Sequence, residues 1–179
     1  MLISPRRILG IDPGSHHLGV GAIEKHGNSL RLVFAETIHA PAKAPIYERL
    51  ECIATRLQQL VIDFSPEEIA VEDVFTAINA RSAFRLGVAR GAAIAACLGR
   101  GAKIFEYAPT QVKSVVTGYG RADKAQVQKM VWLILGKKVE LGFDATDALA
   151  VAICHANQTN FNLQKLQGHD GRVSQRKNP

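Results

Sequence analysis

Four acidic residues stand where a carboxylate is expensive unless it has a task. Asp12 closes the apolar run Ile8-Leu9-Gly10-Ile11, and Pro13-Gly14 turns the chain directly after it. Glu72 follows the short apolar stretch Ile69-Ala70-Val71. Asp144 and Asp147 lie three apart in FDATDALAVAICH, on one face of a helix-patterned segment. If the strands ahead of Asp12 and Glu72 are parallel neighbours, both acids project from the same end of a sheet. A helix packed across that end then gathers all four. Carboxylates so crowded repel one another until protons or cations neutralise them. Oxygen donors with water completing the shell suit Mg²⁺, with Mn²⁺ as a substitute. Two such ions per site can hold a phosphodiester, activate a water and stabilise the leaving oxygen. In-line attack of that kind leaves a 5′-phosphate and a 3′-hydroxyl.

Each acid also has a plainer reading. Asp12 before Pro-Gly suits a turn, Glu72 with Asp73 suits a solvated strand end, and Asp144 and Asp147 suit a helix start, where the dipole favours acids. Asp147 resists that reading, because it lies one turn in and leads straight into Ala-Leu-Ala-Val-Ala-Ile. All four plain readings must hold together for the site to vanish. His16 and His17 are exposed loop histidines or, less simply, metal ligands. The glycine-rich GIDPGSHHLG lacks both the Gly-Lys-Ser/Thr ending of a P-loop and the spacing of a dinucleotide fingerprint. Phe75 suits either a base-stacking aromatic on a loop or an anchor in the core. Lys113 and Lys124 fall near helix starts, as phosphate contacts or as ordinary surface lysines.

The elements that must position these residues are legible in the patterning. Strands are expected at Arg7–Asp12, Leu18–Glu24 and Leu30–His39, with Gly27-Asn28 as a hairpin-type turn between the last two. Ile46, Leu50, Ile53, Leu57 and Val61 recur at spacings of three and four, predicting a helix from about Ile46 to Phe64 that Ser65-Pro66 ends. A strand over Ile69–Val71, a small-residue helix over Ala80–Leu98 and a strand over Lys103–Tyr107 follow. Helices over Thr110–Val116, Asp123–Leu135 and Phe143–Asn157 complete the order. This is a single mixed-sheet α/β layer fold. Residues 1–158 are expected to form one domain and 159–179 a basic, disordered tail. Gly87 and Gly91, four apart, give one helix face that permits close approach, either to a dimer partner or within the core.

Composition narrows the function classes. The net charge of +6 points to an anionic partner, nucleic acid first. No apolar run approaches the roughly 20 residues that span a bilayer, so no membrane role is expected, and the N-terminus lacks an apolar stretch of signal length. Cys52, Cys97 and Cys154 are odd in number, far apart and set in apolar patterns, which favours reduced core thiols in a cytoplasmic protein.

In this order, ILGIDPGSHHLGVGAIE, IAVEDVFTAINARSAFRLGVARGAA, FEYAPTQVKSVVTGYGRADKAQVQKMV and FDATDALAVAICH resemble the RuvC family of bacterial Holliday-junction resolvases, from roughly Arg7 to Asn157. The opening motif alone is shared loosely with ribonuclease-H-like and actin-like proteins; its combination with VEDVF, EYAPTQVK and DATDALA is specific. The resemblance implies a ribonuclease-H-like α/β fold, a mixed five-stranded sheet flanked by helices, and a homodimer. It implies Mg²⁺-dependent endonuclease action on a four-way DNA junction, by paired nicks in two strands of like polarity, in recombination and repair. The family's four catalytic, metal-holding acids fall on Asp12, Glu72, Asp144 and Asp147, its junction-contacting aromatic on Phe75, and its DNA-contacting lysines on Lys113 and Lys124. The family works with the RuvA–RuvB branch-migration complex. Asp73 departs by adding an acid beside Glu72, and the basic tail matches nothing in the family pattern. Two other readings compete: a non-catalytic junction-binding protein of the same fold, and an actin-like ATPase. The ATPase would need a second phosphate loop and a second domain, and neither is visible in 179 residues.

Overall fold

The computed structural model describes residues 4–73, 80–136 and 141–169, with side chains to residue 158. Five strands form one sheet: β1 (Arg6–Asp12), β2 (His17–His26), β3 (Ser29–His39), β4 (Glu68–Glu72) and β5 (Lys103–Tyr107), in the order β3-β2-β1-β4-β5. The first three pair antiparallel, whereas β4 runs parallel to both β1 and β5. The helices are α1 (Ile46–Phe64), α2 (Ala80–Cys97), α3 (Pro109–Thr117), α4 (Lys124–Leu135) and α5 (Phe143–His169). All ten elements match the expected order, with most ends within one or two residues. The exception is α5, whose backbone stays helical to His169 although its apolar pattern fades near Asn157. The rest of the expected tail, residues 170–179, lies outside the described residues.

Period-two alternation divides the core. Leu9 and Ile11 of β1 and Ile69 and Val71 of β4 face one side, where Ile53, Leu57 and Val61 of α1 and Ala93 of α2 cover them. Ile8 and Ala70 face the other, under Val112 of α3, Val127 and Val131 of α4, and Leu149 and Ile153 of α5. The same alternation sends Gly10 and Asp12 of β1, and Glu68 and Glu72 of β4, toward the α5 side.

Three glycines, Gly10, Gly19 and Gly21, let α5 lie unusually close to the sheet, the last with a Cβ position 2.7 Å from the Leu149 backbone nitrogen. A Cβ on Gly10 would stand 2.0 Å from the Ala148 carbonyl oxygen, and one on Gly19 would stand 1.9 Å from that of Asp144. Ala145, Ala148 and Ala152 supply the matching small residues on the helix, each buried. This small-on-small seat sets the height of α5 above the strand ends. By contrast, Gly87 and Gly91 meet nothing within 4 Å, so their face of α2 looks away from the core. Cys97 and Cys154 are buried free thiols and Cys52 is a half-buried one, so the expected core setting holds for two of the three. Among the described residues no helix is long and apolar enough to cross a membrane.

Candidate active site

Parallel pairing in the register Ile11↔Val71 places Asp12 and Glu72 side by side at the ends of β1 and β4. Their side chains hydrogen-bond to each other. Asp147, on the second turn of α5, completes a cleft of about 240 Å³ whose other polar lining is Lys113 and Lys124. Asp144, one turn earlier and half-buried, is outside that lining but close enough for its charge to act on Asp12. The structure therefore brings three of the four acids into one cleft and sets the fourth at its edge.

The electrostatics are those of an acid cluster short of positive charge. Burial first, then the charges of Glu72, Asp147 and Asp144, push the Asp12 carboxyl up to about 8. Burial and Asp147 also raise Glu72, with the hydrogen bond from Asp12 and the nearby Lys124 and Lys113 holding it partly down. The shared proton between Asp12 and Glu72 follows from this: two carboxylates in contact do not both ionise near neutrality. Lys124 supplies the direct counter-charge, with Nζ 3.1 Å from Asp147 Oδ2. Partial burial works against its charge, but the hydrogen bond and charge of Asp147 outweigh that and raise its proton affinity.

Local structure explains the positions of the lysines. Asp123 caps α4 by accepting from the Gln126 backbone N–H at 2.8 Å, while Gln126 accepts from the Asp123 N–H in return, a capping box. Lys124 is thereby the first residue of α4, held at the cleft mouth. Pro109 starts α3 with its φ already helical, and Lys113 follows one turn later on the cleft side.

Asp73, the extra acid, takes no part in the cleft. Its carboxylate lies 3.5 Å from Arg90 Nη2, which also binds Glu106 at 2.6 Å. His16 and His17 do not join the acids either. Arg49 hydrogen-bonds His16 Nε2, and His17 and His39 share a contact through their Nδ1 atoms at 2.9 Å. Phe75 lies outside the described residues. The sequence reading missed Gly10 and Gly19, whose close seat for α5 brings Asp144 and Asp147 over the strand ends. The signal was present as glycines within apolar strands opposite an alanine-rich helix.

Could these residues hold a cation? The donors are carboxylate oxygens only, they stand together at an open cleft, and their mutual repulsion is relieved by a proton and one lysine. That donor chemistry fits a hard divalent ion. Among the described residues no three ligating side chains already form a closed cation cage, so the fit rests on the gathered charge and not on a preset geometry.

A sheet of order 3-2-1-4-5, mixed in direction, with helices on both faces and acids at the ends of its central parallel strands, is the ribonuclease-H-like nuclease architecture. The family model "Crossover junction endodeoxyribonuclease RuvC" matches residues 8–155, and the chain belongs to the RuvC family. It is 50% identical over 155 residues to the crossover junction endodeoxyribonuclease RuvC of Citrifermentans bemidjiense, covering 87% of this chain and 94% of that one. The Cupriavidus necator protein of the same name is 48% identical over 151 residues, covering 84% of this chain and 83% of that one. The solved structure of Thermus thermophilus RuvC in complex with Holliday junction substrate is similar at a TM-score of 0.81 and 34% identity, covering 88% of this chain and 96% of that one.

Proposed function

We propose that this chain is a crossover junction endodeoxyribonuclease that resolves four-way DNA junctions in recombination and repair, by paired nicks in two strands of like polarity. The observation that carries the reading is the convergence of Asp12, Glu72 and Asp147 on one cleft, with Asp144 beside it and Lys113 and Lys124 at its mouth. Asp12, Glu72 and Asp147 are the catalytic acids and cation ligands, and Asp144 completes the set from the edge. Mg²⁺ is the fitting ion, two per site with Mn²⁺ as a substitute, and when bound it would supply Lewis-acid polarisation of the phosphodiester and a more acidic water.

The chain's own residues do the positioning. Lys113 and Lys124 orient the phosphodiester against the acids, and Lys124 exchanges its pairing with Asp147 for a phosphate oxygen. Phe75 serves as an aromatic contact to the unpaired region of the junction. A homodimer would present two such clefts to a junction of approximate two-fold symmetry. The outward Gly87–Gly91 face of α2, with exposed Leu98, supports a seam there. Residues 1–158 are the nuclease domain and 159–179 an accessory basic segment. Family likeness also supports a cytoplasmic location and cooperation with RuvA–RuvB.

A synthetic four-way junction labelled on each strand tests the reading. With Mg²⁺, symmetric nicks with 5′-phosphate ends are expected, and none with chelator. Binding without nicking in either Mg²⁺ or Mn²⁺ would overturn the enzyme in favour of a junction-binding protein. Affinity should also fall steeply with salt, since many phosphates are neutralised. A flat affinity between low and physiological ionic strength contradicts it.

A further inference from the structure

Building on the nuclease reading above, we propose that Phe143 is a base-stacking residue, which seats the nucleobase beside the scissile phosphate at the mouth of the acid cleft. The cleft itself is furnished for a phosphodiester and not for a base. Apart from its acids and lysines, its lining is Pro109, Val112, Val127 and Ala150, none with an aromatic face. A nucleotide held there by its phosphate must place its base outside that lining.

Phe143 stands just beyond the cleft mouth. It is the first residue of α5 and lies four before Asp147, so the two share one face of the helix. Lys124 bridges them, with Nζ 3.1 Å from Asp147 Oδ2 and 6.0 Å from the centre of the Phe143 ring. The ring belongs to neither hydrophobic cluster of the core, and Phe143 is 53% exposed. Tyr47 and Phe84 are also exposed, but they stand on α1 and α2, across the sheet from the acids. The platform under Phe143 is fixed. Asp144, next in the chain, has its carbonyl oxygen 1.9 Å from where a Gly19 Cβ would stand, so the first turn of α5 sits hard against β2. The backbone that carries the ring cannot withdraw without lifting the helix.

The location ties the ring to the reaction. When Lys124 exchanges Asp147 for a phosphate oxygen, the nucleotide that carries this phosphate arrives beside the Phe143 ring. An aromatic face takes any base by stacking, because every base has a π-face. In an intact duplex each base is already stacked on its neighbours and offers no free face. A base unstacked at a branch point does. Phe143 thereby favours nicking where the strand has come unstacked, on the same helix face as Asp147 and apart from any contact made by Phe75.

The test is a double-replacement cycle between Phe143 and the DNA, read by fluorescence anisotropy of the full chain. Ca²⁺, a hard cation that takes the same oxygen ligands, stands in for Mg²⁺, and nicking in Mg²⁺ is followed separately. Four-way junctions carry one abasic nucleotide, moved in turn along a strand at the branch point. Phe143→Ala should weaken binding of the intact junction roughly tenfold, the scale of one aromatic–base stack. One abasic position should weaken the parent by a similar factor and leave Phe143→Ala indifferent. Phe143→Trp should keep the parent's affinity, and Phe143→Leu should behave like the alanine variant. Binding of an unbranched duplex should change little, and Leu133→Ala, exposed on α4, should alter none of these values. Melting temperatures should stay close to the parent's, because the ring is outside the core. Additive losses at every abasic position in a folded variant overturn the stacking. They would leave the ring at most a steadying cation–π partner of Lys124. Equal losses on junction and duplex overturn it as well. Absence of nicking by the parent in Mg²⁺ strikes the nuclease reading, whereas additivity in a parent that nicks strikes Phe143 alone.

Discussion

Two charged regions lie under the same stripe of α5, one at each end, and they are built oppositely. At one end Asp12, Glu72 and Asp147 crowd together with a shared proton and Lys124 as their direct partner. At the other, fully buried His155 contacts the Tyr107 hydroxyl at 2.6 Å and Glu68 Oε2 at 2.8 Å, and Arg6 Nε pairs with Glu68 at 3.3 Å. Lys25 adds a hydrogen bond to the Ala156 carbonyl, tying β2 to the same helix. Glu68 and Glu72 are four apart on one face of β4, yet one is balanced on every side and the other is left in excess negative charge. A buried polar network with its partners in place rigidifies the fold. A cluster left unbalanced at an open cleft is configured for something that arrives.

The largest expected effect is at the unbalanced end. Asp147→Asn should lower junction nicking by about 10³-fold or more, on the scale of losing an electrostatic catalytic group, while junction affinity survives. Loss of binding and of the thermal transition together would make Asp147 structural instead.

The seat between the two ends should be nearly as sensitive. Gly10→Ala forces its new methyl into the Ala148 carbonyl, so about 3 kcal/mol of destabilisation is expected, at the upper end for overpacking, together with a loss of nicking as α5 lifts. Gly142→Ala, whose new methyl would meet only Thr37 Oγ1 at an ordinary 3.6 Å, should stay within about 1 kcal/mol. Urea unfolding curves of the two variants check this. Equal effects would mean that the close helix seat is not what holds the acids.

At the balanced end, His155→Ala leaves Glu68 and Tyr107 without their shared partner, at about 3 kcal/mol. In a chain of this size that is a fall of roughly 6–12 °C in melting temperature. Nicking per folded molecule should remain within a few-fold of the parent. Full stability with abolished nicking would erase the contrast between the two ends.

Furthest from the nicking reaction is a dependence of stability on pH in chelator. Asp12 holds its proton up to about 8 in the folded state and near 3.9 when unfolded. Its neutral-form contribution is therefore complete below the unfolded value and is lost as pH rises toward 8. The parent should lose stability between pH 5 and pH 8.5, and Asp12→Asn should show a flatter profile with a higher melting temperature at the alkaline end. A lower melting temperature for the variant at pH 8.5 would show that the carboxylate is not a repulsive load in the cation-free protein.

Much of this architecture was legible in the chain. Apolar periodicity located every element, because strands repeat every two residues and helices every 3.6. The positions of Asp12, Glu72, Asp144 and Asp147 at element ends marked them as a set. What patterning could not resolve was pairing at a distance. Asp73 reads like Glu72 in the sequence, but Arg90 takes it out of the cleft. Arg49 sits on an apolar-striped helix as if exposed, yet it is buried against the Asp12 turn. α5 runs past the end its apolar pattern predicts, because the hydrophobic signal fades near Asn157 while the backbone stays helical to His169.

The sequence by itself determined the elements, their order, the basic balance and the candidate acids, since these depend on residue type and near-neighbour spacing. Only the tertiary structure decided which charges meet. Parallel pairing of β1 with β4 sets Asp12 beside Glu72, and the Gly10–Ala148 contact sets the distance at which α5 brings Asp147 to them. Charges interact through space, with strengths fixed by separation and burial. Glu72 is part of an acid cluster, and Glu68 part of a satisfied network, only once the chain has folded.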